Sequence, residues 1–222
     1  MPPHQSLFTR HGWLCLVAAL SALPTAQATS YTESFEGDMS NDRLAPTRLE
    51  LNYDTSLNVV GSNVISGQVG RDTKGGIDRD YLNVIVPLGY VLSELRVGTQ
   101  TTIGGSAGSF IGLAAGTSMP VLASATSASG LLGWKLYSPA DATTDILDDM
   151  ALAGNGASGF QRPLPANDYT FWIQELAPGK YNYRFNLILT PVPEPDAWWL
   201  SLIGAAAWLL FSVSKRRTPS PT

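Results

Sequence analysis

Polar and apolar residues alternate over short stretches of the chain. The pattern is clearest in Tyr169-Thr170-Phe171-Trp172-Ile173-Gln174 and from Tyr181 to Leu189. A side-chain period of two predicts strands with one face on a core and one in water. Pro178-Gly179 between these two runs fits a turn, so they are expected to form a pair. Further β-type runs lie between turn residues at Leu49–Tyr53, Asn63–Val69, Tyr81–Val86, Val91–Thr99, Phe110–Ala114 and Leu131–Tyr137. No helical period persists beyond about a dozen residues. Asp145–Leu152 (DILDDMAL) predicts one short connecting helix. Gly104–Gly130, rich in Gly, Ser, Ala and Thr, predicts long mobile loops around a strand. Eight or so strands at this spacing, without an internal repeat, predict an all-β fold. The expected architecture is an antiparallel β-sandwich, jelly-roll-like, over residues 29–190.

Two apolar runs break this pattern, one at each end. Arg10, then Trp13–Leu20 (WLCLVAAL), then Pro24 and Ala26-Gln27-Ala28 have the order of a secretory signal. Residues 1–28 are therefore expected to be removed by signal peptidase after export, with Ala26 and Ala28 at the cleavage site. Trp13-Leu14 ahead of Cys15 argue against lipid attachment there, which needs small residues. At the other end, Ala197–Val213 contains 17 residues without a charge. At ~1.5 Å per residue a helix there spans about 26 Å, close to the hydrocarbon thickness of a bilayer. Lys215, Arg216 and Arg217 follow within residues 214–222 and predict a tail held in the cytoplasm. Both ends agree on one topology: domain outside, basic tail inside, and a membrane anchor before processing.

Residues 191–196 contain Pro191-Val192-Pro193-Glu194-Pro195, which forbids helix and central strand and leaves an extended segment. Pro193-Glu194-Pro195, then an apolar helix, then a terminal Lys/Arg cluster resembles the PEP-CTERM sorting signal of exported Gram-negative proteins. The resemblance implies recognition by an exosortase, a membrane transpeptidase. It further implies a destination at the cell surface or in the extracellular, exopolysaccharide-containing matrix. A chain processed in this way needs no catalytic residues of its own.

Composition narrows the chemistry. Of the 222 residues, the one cysteine (Cys15) and both histidines (His4, His11) lie in the expected signal. Without them, Ser-His-Asp and Cys-His catalysis, disulfides and Cys/His zinc sites are excluded from the mature part. Residues 29–190 hold 16 Asp and Glu against 10 Lys and Arg, a net charge of −6. That balance predicts no nucleic-acid partner. Glu33, the segment Asp38–Thr47, Asp78-Arg79-Asp80-Tyr81 and the turn Val86-Pro87-Leu88-Gly89 resemble the bacterial pre-peptidase C-terminal domain. That resemblance implies a β-sandwich of secreted proteins, some of which bind calcium or polymers. Calcium takes six to eight hard oxygens. Glu33, Asp38, Asn41, Asp42 and Asp80, with Asp78 beside them, are the residues expected to supply them, against a plain role in turns and strand ends. Asp145, Asp148 and Asp149 form a second acidic group, expected to cap the short helix. Glu94 and Glu175 are expected on solvent-facing strand positions. Trp134, Tyr137, Trp172 and Tyr183 are expected to pack a core more often than to carry a sugar platform. The function read from the chain is an exported structural or adhesive protein, not an enzyme. The alternatives are a calcium-dependent carbohydrate- or protein-binding module and, behind it, a glycan-active enzyme built on paired carboxylates.

Overall fold

A computed structural model describes residues 29–55 and 59–193. The expected signal peptide with Ala26 and Ala28 lies outside these residues. So do Glu194, Pro195, the apolar run 197–213 and Lys215, Arg216 and Arg217. Among the described residues no helix is long and apolar enough to cross a membrane. Strands take 45% of the described residues and helices 7%, so the expected all-β class holds.

The described residues form nine strands: β1 Ser30–Thr32, β2 Thr47–Glu50, β3 Ser62–Arg71, β4 Ile77–Val86, β5 Tyr90–Val97, β6 Ser109–Ala115, β7 Gly133–Tyr137, β8 Asn167–Gln174 and β9 Gly179–Pro191. Two short helices, α1 Glu33–Glu36 and α2 Leu147–Ala151, interrupt them. The main path runs β5-β9-β3-β4-β8-β6-β7, and all of its pairs are antiparallel. β1 and β2 join β3 and β4 in parallel. The sheet bends where β3 meets β4 through only two residue pairs, Gly70 with Asp78 and Arg71 with Ile77. The connection from β7 to β8 then runs along the free edge of β5. Thr143 donates to the Val97 carbonyl, Ile146 to Leu95, and Leu92 and Leu164 exchange both backbone bonds. This covers the β5 edge and brings the sheet to a nearly closed, barrel-like form.

The expected pairing of the last two strands is corrected. β8 pairs with β4 and β6, whereas β9 pairs with β3 and β5. The Pro178-Gly179 turn thus carries the chain from one half of the sheet to the other. The expected one-sided burial fails for β8 as well, because Tyr169 to Gln174 are all buried. Tyr169, Phe171 and Ile173 face the main core with Leu82, Leu95, Ile111 and Phe185. Trp172 faces outward into a second core of Tyr81, Ala114, Met119, Val121 and Leu131. The Ser- and Ala-rich connection from β6 to β7 supplies that cover, so it is a packed layer and not the loose loop expected. Met119 is fully buried there, worth about 2 kcal/mol in transfer alone.

Candidate cation site

The acidic site forms where α1 and its following loop cross β3, β4 and β9. Parallel pairing of β1 with β3 brings the chain to Glu33. Its side chain reaches across β3, accepting from the backbone N–H groups of Gln68 (2.7 Å) and Met39 (3.1 Å). Gly67 makes room for this approach. A Cβ there would lie 2.5 Å from the Glu33 carboxyl and 2.5 Å from the Tyr183 hydroxyl. Tyr183 stands opposite Gly67 in the β3–β9 register. Its hydroxyl donates to Asp80 Oδ2 at 2.6 Å and touches the Met39 sulfur at 3.3 Å.

Asp80 is fully buried, and its Oδ1 has no hydrogen-bond partner. Glu33, Asp38 and Asp80 each offer a carboxylate oxygen, and the three oxygens lie within 4.8 Å of one another. Oxygens around one calcium at about 2.4 Å are separated by no more than about 4.8 Å, so this spread matches one ion. Burial, then the neighbouring Glu33 charge, push Asp80 up to about 9 against the Tyr183 hydrogen bond. Burial is also the main cause that raises Glu33, with two backbone N–H donors opposing it. Asp38 is raised by burial and by Asp78. Three acids that resist ionising together need either shared protons or a cation.

The structure brings together three of the five expected ligands. Asn41 lies beside the group: its amide donates to Asp78 Oδ1 at 3.2 Å and accepts from the Arg79 N–H at 2.7 Å. It thereby ties the Asp38–Asp42 loop to β4. Asp42 is not part of the group, because its Oδ1 accepts from the Leu44 N–H and caps its own turn. Tyr183 and Gly67 escape sequence reasoning. The Tyr183–Asp80 contact spans 103 residues, and only the strand register reveals it.

The other candidates have structural roles. The expected capping of α2 by its acids is corrected: Ile146 is the N-cap and no side chain caps the helix, while Asp145, one residue earlier, accepts through Oδ1 from the N–H groups of Leu147 and Leu95. Arg162 pairs with Asp145 and Asp148, and Lys135 pairs with Asp141 and Asp149. Glu94 pairs with Arg96. Glu175 is buried, contrary to its expected solvent-facing position. Burial opposes its ionisation, but donors from Ala177, Gly104 and Ser109 hold it below the usual carboxylate range. Tyr137, Tyr183 and Trp172 are buried, and Trp134 packs on Phe110, so these rings form no exposed platform. Pro193 follows β9 in an exposed position.

Compared with family models, curated proteins and solved structures, the chain matches none. The site is therefore read from its own chemistry.

Proposed function

We propose that this chain is an exported surface or matrix protein whose β domain is a calcium-dependent binding module. The carrying observation is the buried Asp80 carboxylate, with one oxygen unpartnered, held against Glu33 and Asp38. Calcium suits this set because all the donors are hard oxygens and because the loop after α1 leaves room for water ligands. Glu33, Asp38 and Asp80 would hold the ion, Tyr183 would orient Asp80, and Asn41 would fix the loop. A bound ion would join α1, β3 and β4, and so stiffen one end of the barrel-like domain. The pre-peptidase-type resemblance, and with it a sandwich of that type, agrees with this reading.

Export and sorting rest on the two ends of the sequence. The hydrophobic segment after Arg10, the Pro193-Glu194-Pro195 segment and the basic tail support passage through the membrane and processing by an exosortase. The destination is the cell surface or exopolysaccharide matrix, where the role is adhesive and not catalytic. Two experiments test the proposal. Calorimetric titration with calcium should give one site per chain, lost in Asp80→Asn; heat without saturation in both proteins would refute the site. In a host with an exosortase, replacing Pro193, Glu194 and Pro195 by alanine should retain a C-terminal tag on the membrane-bound chain. Equal tag removal in both forms would refute the sorting reading.

A further inference from the structure

Few cations serve this acidic domain, and half of its ten are committed to ion pairs. Lys135, Arg48, Arg96, Arg162 and Lys180 each pair with a carboxylate. Arg43, Arg71 and Arg79 form no ion pair among the described residues, yet they line one groove of about 580 Å³. Local structure explains the convergence. Arg71 faces Ile77 across the β3–β4 corner, and Arg79 lies two residues further along β4, on the same face. Arg43 enters from the loop after α1, anchored by its Nη1 on the Met119 carbonyl at 2.9 Å. Arg79 spends only Nε, on Gln174 at 3.0 Å. Arg71 Nε is buried without an acceptor. A guanidinium carries five donors, so most of the donors in this groove have no protein acceptor.

We propose that this groove binds the carboxylates of an acidic polysaccharide. Guanidinium forks match planar oxyanions bidentately, and three of them along one groove suit repeated anionic groups better than a single ion. Leu122 and Leu176, both about half exposed, flank the arginines and offer apolar surface to the C–H faces of sugar rings. Asp42 is the one acid on the groove wall, and it turns its Oδ1 to the Leu44 N–H. The surrounding domain, at −6, repels a nucleic acid approaching over a wide front, so the attraction is confined to the groove. The groove does not use Glu33, Asp38 or Asp80, so its function stands apart from the cation site.

The test is affinity electrophoresis of the full chain in EDTA, which removes calcium from the measurement. Gels containing polygalacturonate should retard the protein, and gels containing neutral dextran should not. Arg71→Gln with Arg79→Gln should weaken the retardation at least about tenfold and lower the log–log salt slope by about two. Arg71→Lys should recover only part of the affinity, since the charge remains but the fork is lost. Lys74→Gln, at an exposed unpaired lysine outside the groove, should behave as wild type. A circular dichroism melt of each variant confirms folding, and Arg43→Gln provides a second test if the double variant unfolds. Equal retardation by dextran or by single-stranded DNA would overturn the proposal. So would wild-type retardation by a folded variant lacking these arginines.

Discussion

The domain contains two acidic triplets, and they are built in opposite ways. Asp145, Asp148 and Asp149 sit at the start of α2, where Arg162 and Lys135 meet them with their own charge. Glu33, Asp38 and Asp80 converge between α1, β3 and β4 and form no ion pair with a basic side chain among the described residues. Lys180, on the wall of the same pocket, reaches Asp78 instead, at 4.0 Å. Every acid of the first triplet thus has a basic partner inside the fold. In the second, Asp80 is fully buried, Glu33 half-buried and Asp38 exposed, and the charge of the buried pair must be offset by protons or by an added ion. A count of carboxylates therefore says little about metal binding. Where the opposite charge sits decides it.

The largest expected difference between the two triplets is their response to pH without metal. Asp80 titrates at about 9 in the fold and near 3.9 in the unfolded chain. Its folded pKa is raised, so the folded state holds the extra proton. The stability linked to it is complete below about pH 4 and is lost as pH rises towards 9. In chelator, stability should fall by a few kcal/mol from pH 5 to 9. Calcium should reverse the trend, because ion binding displaces the protons. Melting curves against pH, with chelator and with calcium, check both signs. A flat profile in chelator would mean that Asp80 is ionised without help.

Gly67→Ala should come next. The new methyl collides with the Glu33 carboxyl and the Tyr183 hydroxyl, and the cost should be about 2–3 kcal/mol. Calcium should then fail to raise the melting temperature, since Glu33 can no longer reach its place. Denaturant unfolding with and without calcium measures this. Arg162→Gln tests the other triplet. It removes the pairs to Asp145 and Asp148 and the bond to the Ser93 carbonyl, at a cost of about 2 kcal/mol. Calcium should restore none of that loss, and recovery with calcium would erase the contrast between the triplets. The smallest effect belongs to Asp149→Asn. Its pair with Lys135 is more than half exposed on the acid side, so about 0.5 kcal/mol is expected. Chemical denaturation at two salt concentrations resolves it.

Much of the fold was legible from periodicity. Each of the eight predicted runs overlaps a strand, because alternation and turn residues act locally. The short strand Ser30–Thr32 escaped notice because three residues carry no period. Partner choice was not legible either. Tyr169–Gln174 and Tyr181–Leu189 look like neighbours in sequence, but a turn can pass between sheet halves as readily as it closes a hairpin. The second core was hidden because its cover comes from small residues around Met119 and Val121, which read as loop. In the site, Glu33, Asp38 and Asp80 were visible as acids near strand ends. Their convergence depended on Gly67 and Tyr183, which show their purpose only across the β3–β9 register. Asp42 looked equivalent to Asp38, but one backbone N–H, that of Leu44, uses its carboxylate. The groove of Arg43, Arg71 and Arg79 had no sequence signature, because its members come from a loop and two strands.

The central claim is that the Glu33, Asp38 and Asp80 group takes calcium. Thermal melting of the purified protein at pH 7 tests it most directly, with calcium and magnesium compared at equal concentration. Binding to the folded state alone adds about 2.7 kcal/mol at a hundredfold excess over Kd, or roughly 5–10 °C for a domain of this size. Magnesium should shift the melt far less, since it demands a tighter octahedral shell and gives up water reluctantly. Asp38→Asn combined with Asp80→Asn should remove the calcium-specific shift while keeping side-chain size. Equal shifts with the two metals, or a double variant that responds like wild type, would contradict the claim.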